Sequence, residues 1–232
     1  MPPRNLLSAM VLGALAILLH PLTFAAKAAA AAASAIGRSG RHFIHSRQSG
    51  ADNAQWTPEL LKRLEWRRFE ELCAAYFEAL GFRADLAAAG PDGGAISLYE
   101  QGAKSASILV QCEPWNAHRV GIKPLRGLRG AMSTGNFGEG VVVTSGKFTK
   151  EARDFAGKEK ITLLDGPELV GKINALLPEQ ALALLKGATQ GDYQTPTCPA
   201  CAIKMITRKS TTHGRTYWGC RNYPGCKHTF SI

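Results

Sequence analysis

The stretch GPDGGAISLYEQGAKSASILVQCEPW, from Gly90 to Trp115, decides how the chain is read. Ala95 to Tyr99 (AISLY) reads as one short strand and Ser107 to Cys112 (SILVQC) as the next, with Gln101-Gly102 as the turn between them. Upstream, Asp92-Gly93-Gly94 reads as a turn, because Gly takes positive φ readily and Asp favours turns. A hairpin within a sheet is therefore predicted.

Working outward, Phe82 to Leu86 supplies a strand before this hairpin. Before that, Thr57 followed by Pro58 and Glu59 starts a helix with Thr as N-cap and Pro in the first turn. Leu60, Leu61, Leu64, Phe69, Leu72, Cys73, Tyr76, Phe77 and Leu80 recur at helical spacing up to Gly81, with a break near Trp66. Downstream, helices are predicted over Lys123 to Met132, Thr149 to Gly157, Pro167 to Ile173 and Glu179 to Lys186. They alternate with strands at Gly140 to Thr144 (GVVVT) and Ile161 to Leu164. A strand apolar on both faces is buried on both, so GVVVT belongs inside a mixed sheet of an α/β sandwich.

The 232 residues carry a formal net charge of +10 and a pI near 9.5, which calls for an anionic partner, nucleic acid or an acidic membrane face. Four of the six cysteines crowd the C-terminus, against a disulfide framework and for a metal site in a reducing compartment. Cys73 and Cys112 stand apart in apolar surroundings and read as small buried residues.

Leu6 to Ala26 (LLSAMVLGALAILLHPLTFAA) is long enough to cross a bilayer core of about 30 Å. Lys27, Arg38, Arg41 and Arg47 come after it, placing the downstream side in the cytoplasm. A single-pass anchor in the cytoplasmic (inner) membrane is expected over 1–36. A cleaved signal peptide is the alternative, Ala26-Lys27-Ala28 having the small-x-small form of a cleavage site. Residues 37–56 read as a flexible linker.

Several motifs in order carry a resemblance: WRRFE at Trp66 to Glu70, Gly81-Phe82, GPDGG at Gly90 to Gly94, QCEPW at Gln111 to Trp115, VGIKP at Val120 to Pro124 and VTSGKFT at Val143 to Thr149. Together they resemble the Mrr-type restriction endonuclease family. The resemblance implies a restriction-endonuclease-like three-layer α/β sandwich over 57–187, a double-stranded DNA substrate and a D-x(n)-[E/Q]-x-K metal site. It places Glu70, Asp92 and Gln111 on family positions, whereas the usual Asp ligand falls on Ile96 and the usual Lys on Glu113. Ile96 cannot bind a cation, and Glu113 sets a negative charge where the family has a positive one, beside the scissile phosphate. The catalytic set Glu70, Asp92, Gln111 and Glu113 is thus vestigial or rearranged, with Mg²⁺ as cofactor only if cleavage survives. Lys123, Arg126 and Arg129 form a basic stripe on the next helix and, with Arg119 and Lys147, are candidate phosphate contacts.

After a linker at 188–196, residues 197–232 carry Cys198-x2-Cys201, eighteen residues, then Cys220-x5-Cys226. Four thiolates in two close pairs match a structural Zn²⁺ site, and so small a unit needs one to fold. C-P-x-C followed by Y-W-G-C-x-N-Y-P-x-C resembles the C4 zinc finger of type IA topoisomerases, which implies DNA binding, chiefly to single strands. From Thr197 onward there are six Lys or Arg and no Asp or Glu. Arg208, Lys209, Arg215 and Arg221, interleaved with Tyr217, Trp218 and Tyr223, are the candidate contacts, because aromatic faces stack on bases at about 1–3 kcal/mol each.

Three functions are consistent with these features, in order of preference: a membrane-tethered DNA-binding protein with a degraded nuclease site, an active Mg²⁺-dependent endonuclease, and a protein scaffold. A homo-oligomer is left open.

Overall fold

The computed structural model describes residues 55–87, 94–113, 119–210 and 214–232. The expected hydrophobic helix at 1–36 and most of the 37–56 linker lie outside these residues. Among the described residues no helix is long and apolar enough to cross a membrane.

Helix α1 (Pro58–Arg63) begins where Thr57 Oγ1 accepts the Leu60 N–H at 3.1 Å. Leu64 then turns extended (φ −67°, ψ 130°) and Glu65 caps a second helix, α2 (Trp66–Ala79), by accepting the Arg67 N–H at 3.2 Å. The break expected near Trp66 is therefore a change of direction between two capped helices. Gly81 ends the run at φ +93°, a conformation a side chain disfavours. Strands β1 (Arg83–Leu86), β2 (Ala95–Tyr99) and β3 (Ile108–Cys112) come next as an antiparallel meander.

A two-residue strand β4 (Arg119–Val120), helix α3 (Ile122–Gly135), β5 (Glu139–Val143), a second two-residue strand β6 (Lys147–Phe148), α4 (Lys150–Ala156) and β7 (Ile161–Leu164) continue the chain. Helices α5 (Gly166–Asn174) and α6 (Pro178–Thr189) complete this part. The main sheet runs β1-β2-β3-β5-β7, antiparallel on its first side and parallel from β3 onward. The mixed sheet and the interior place of β5 agree with the sequence. Both parallel connections, through α3 and α4, step the same way across the sheet, so the right-handed crossover rule puts both helices on one face. Leu109 and Val142 pack there with Leu125, Leu128, Met132, Phe148, Ala152 and Ile161. Helix α2 covers the other face, with α6 against it and α5 against α1.

Trp56 is buried, its Nε1 donating to Ala181 O at 3.2 Å, so the last residue of the expected linker already belongs to the folded unit. The other expected linker also differs. Helix α6 runs to Thr189, and the segment after it is tied down: Glu65 N donates to Tyr193 O at 2.8 Å and Arg68 Nη2 to Gln190 O at 3.1 Å. Gly, Thr and Pro break the helical period there, but hydrogen bonds to the start of α2 replace it.

The C-terminal unit is a three-stranded antiparallel ribbon of β8 (Ile206–Lys209), β9 (Thr216–Gly219) and β10 (Thr229–Ser231) in the order β10-β9-β8. Its small core holds Cys198, Met205 and Cys220, with Ile203, Trp218 and Phe230 against them.

Candidate functional site

The carboxyl ends of β3, β5 and β7 and the start of β2 lie at one end of the sheet, the end at which α2 begins. The topology dictates this, because α2, β1, β2 and β3 run alternately back and forth. Glu70, in the second turn of α2, reaches this end, where its Oε1 accepts the Gly94 N–H at 2.5 Å. Gly94 has no side chain for a reason: a Cβ there would collide with the Glu70 carboxylate. Glu70 Oε2 is buried without a partner. Burial, opposed by the Gly94 hydrogen bond, pushes the carboxyl up to about 7.

Glu113 stands just past β3, its N–H donating to Val143 O at 2.9 Å so that the ladder to β5 continues one residue further. Its side chain is buried, Oε1 has no partner, and burial alone raises it to about 7. Two carboxyls with raised pKa values and one orphaned oxygen apiece therefore belong to the same end of the sheet.

Register decides what can meet what. Ala95 lies opposite Gln111, and Ile96 opposite Val110. Side chains alternate along a strand, so Gln111 shares the face of Ala95, Leu109 and Val142, whereas Ile96 shares the face of Gly94, against which Glu70 packs. Ile96 is fully buried core. The residue beside Gln111 on the neighbouring strand is therefore Ala95, not the family-aligned Ile96, and Glu70 and Gln111 do not share a face. Asp92 lies outside the described residues. The orphaned carboxylate oxygens are hard donors of the kind Mg²⁺ takes. Among the described residues, however, no group of three or more acidic, His or Cys ligand atoms converges except the four C-terminal cysteines. These residues do not by themselves assemble a Mg²⁺ site.

Basic side chains rim this end. Arg119 and Lys147 are opposite one another in the β4–β6 pair, whose β6 follows β5 after a gap of three residues, and both are exposed. Lys123 in the first turn of α3 and Arg126 one turn later are exposed as well. Arg129 is committed elsewhere, its Nε donating to Glu159 Oε2 at 2.7 Å. The stripe expected along α3 thus divides into two outward cations and one ion-paired one.

In the ribbon, the Sγ atoms of Cys198, Cys201, Cys220 and Cys226 all lie within 4.8 Å of one another, and Cys198 and Cys226 are 3.7 Å apart. Tetrahedral Zn–S bonds of about 2.3 Å require S···S separations of about 3.8 Å, so the tetrad fits zinc. Hydrogen bonding from His228, backbone first and ring second, holds the Cys226 thiol down to about 6, while burial pushes Cys220 up to about 12.

The ribbon candidates divide between its two faces. Trp218 lies opposite Phe230 and packs into the metal core. Tyr217 is opposite Arg208 and Ser231 on the other face, where the Arg208 guanidinium stands 5.2 Å from the Tyr223 ring centroid. Arg208 Nη2 also donates to Cys220 O at 3.3 Å, so this residue braces the ribbon while presenting its plane beside Tyr223. Lys209, Arg215, Arg221 and Tyr223 are exposed. Lys204 points elsewhere, to Glu65 Oε1 at 3.1 Å.

Residues 61–173 match the Mrr-type family model described as restriction endonuclease, and residues 195–232 match that of the topoisomerase DNA binding C4 zinc finger. The chain is 34% identical over 121 residues to the type IV methyl-directed restriction enzyme EcoKMrr of Escherichia coli (strain K12), a match covering 48% of this chain and 39% of that protein. Among solved structures, it is similar to the DNA modification-dependent restriction endonuclease AspBHI, at 20% identity, TM-score 0.39, 65% of this chain and 44% of that one. It is also similar to the MspJI restriction endonuclease in complex with a 27-mer oligonucleotide, at 17% identity, TM-score 0.37, 69% of this chain and 43% of that one. The chain therefore spans less than half the length of each of these proteins.

Proposed function

From a chain whose residues 61–173 resemble an Mrr-type restriction endonuclease and whose residues 195–232 resemble a topoisomerase C4 zinc ribbon, we propose a DNA-binding protein whose phosphodiester cleavage is weakened or lost. The observation that carries this reading is the ribbon face of Tyr217, Arg208 and Tyr223 within a unit rich in cations and free of acids. Flat π surfaces beside guanidinium groups take unstacked bases, and the flanking Lys209, Arg215 and Arg221 take phosphates. Zinc holds that face in place. At the sheet end, Arg119, Lys123 and Lys147 offer further phosphate contacts, while Ile96 and Glu113 stand where the resemblance calls for a metal ligand and a cation.

A second reading, a Mg²⁺-dependent endonuclease, is favoured by the orphaned oxygens of Glu70 and Glu113 at the strand ends. Incubating the zinc-loaded protein with supercoiled plasmid and Mg²⁺ or Mn²⁺ separates the two. The first reading expects retarded but uncut DNA; cleavage that disappears in Glu70→Gln and Glu113→Ala would establish the second. Membrane attachment through Leu6 to Ala26, with the folded domains on the cytoplasmic side, is part of the proposal and rests on the length of that run and the cations after it. Recovery of the full chain in the carbonate-washed membrane fraction is the expected result, and recovery in the soluble fraction removes this part.

A further inference from the structure

Glu65, at the α1–α2 corner, joins the sandwich to the ribbon through a fully buried carboxylate, and it is 1% exposed. Its Oε2 accepts from Thr197 N at 3.1 Å, its Oε1 from Thr197 Oγ1 at 2.9 Å and from Lys204 Nζ at 3.1 Å. Beside it, Trp66 Nε1 donates to Thr197 O at 2.8 Å, and Lys204 Nζ also donates to Thr195 O at 2.8 Å. A buried carboxylate with three donors from one partner segment holds that segment in place, since losing Lys204 leaves its charge unpaired and losing Thr197 leaves an acceptor unsatisfied in low dielectric. The ribbon is therefore not a bead on a string.

The place of this joint matters as much as its rigidity. Glu65 caps α2 and Glu70 lies five residues further along the same helix, about 7.5 Å at 1.5 Å per residue. The ribbon is thus fixed at the end of the sheet where Glu70, Gly94 and Glu113 lie and where Arg119, Lys123 and Lys147 form the basic rim. The two surfaces differ in what they fit. The rim offers the exposed cations Arg119, Lys123 and Lys147, which suit the phosphates of a duplex; the ribbon face offers Tyr217 and Tyr223, which need unstacked bases.

We infer that the ligand is a DNA in which duplex runs directly into single strand, the duplex lying on the rim and the unpaired segment on the ribbon. This rests on the DNA-binding reading and adds to it the substrate class. Because Glu65, Thr197, Lys204 and Trp66 hold the ribbon against the start of α2, the two surfaces can act on one DNA molecule.

The test uses the full zinc-loaded chain and four labelled DNAs: a blunt duplex of two helical turns, about 20 base pairs; the same duplex with a 3′ or a 5′ tail of about eight nucleotides; and the tail alone. Linking two sites multiplies affinity by their effective concentration, so a tailed duplex is expected to bind at least about tenfold more tightly than blunt duplex and free strand. Equal affinity for the blunt duplex and for both tailed duplexes overturns the inference while leaving DNA binding intact. No binding to any of the four removes the functional reading itself. In Lys204→Met and in the milder Trp66→Phe, zinc content and free-strand affinity stay at the wild-type level while the preference for the tailed over the blunt duplex shrinks. A preference undiminished in both variants, each shown to be folded by circular dichroism, refutes the role of the joint.

Discussion

Glu70 and Glu113 are carboxyls that the fold removes from water, and each is raised from 4.5 to about 7 by that burial. Below pH 4.5 both are protonated whether the chain is folded or not. Between 4.5 and 7 the unfolded chain gives up these protons and the native one keeps them, so stability falls as pH rises and levels off above about 7. Each shift corresponds to about 3 kcal/mol. Urea unfolding of wild type from pH 4.5 to 8 is expected to show this decline, and Glu70→Gln to remove part of it, because an amide keeps an acceptor for Gly94 N–H and carries no charge to desolvate. A Glu70→Gln protein with the wild-type pH slope would place the titrating group elsewhere. Gly94→Ala is the steric counterpart: its methyl group overlaps the Glu70 carboxylate, and such overpacking costs about 1–3 kcal/mol. Its unfolding midpoint should drop, and Ala95→Gly, one residue away, should not reproduce the Glu70 displacement. Motif order put Glu70, Gln111 and Glu113 forward as candidates; their mutual placement was not legible, because a shift of one residue in strand register exchanges faces.

At the scale of elements, the zinc ribbon has the least core of its own and depends most on its metal. Structural zinc contributes about 10–16 kcal/mol in small metal-folded units, more than three short strands supply. Cys220→Ser is therefore expected to lose bound zinc, to shift the fluorescence of Trp218 as its core opens, and to abolish free-strand binding, while the unfolding of residues 55–187 stays cooperative. Zinc retained at one ion per chain would mean that another ligand completes the site. The cysteine spacing announced the tetrad, but not the third strand, β10 (Thr229–Ser231). By contrast, the β4–β6 pair left no trace, because two residues carry no period, and it is this pair that brings Arg119 against Lys147. The segment after α6 misled for a related reason: its turn-forming residues exclude helix but say nothing about what the backbone hydrogen bonds to.

For the whole molecule, with its net charge of +10, the proposed DNA binding is expected to weaken with salt, the slope counting phosphates neutralised at about 0.9 each on duplex. The double variant Lys123→Ala, Arg126→Ala is expected to reduce the slope on blunt duplex by nearly two, and Arg129→Ala to leave it unchanged, because Arg129 is paired with Glu159. An equal effect from Arg129→Ala would show that the ion pair opens on DNA. The sequence by itself determined the order of the helices and of the five main-sheet strands, the break near Trp66, the mixed α/β sandwich and the four-cysteine tetrad. Caps, periodicity and ligand spacing are local, and local physics writes them into neighbouring residues. Only the tertiary structure decided that Ala95 rather than Ile96 faces Gln111, that Glu70 is buried with a free oxygen, and that Glu65 binds Thr197 across 132 residues. Register and burial are set by which faces pack together, and a single long-range hydrogen-bonded carboxylate has no period for a sequence to display.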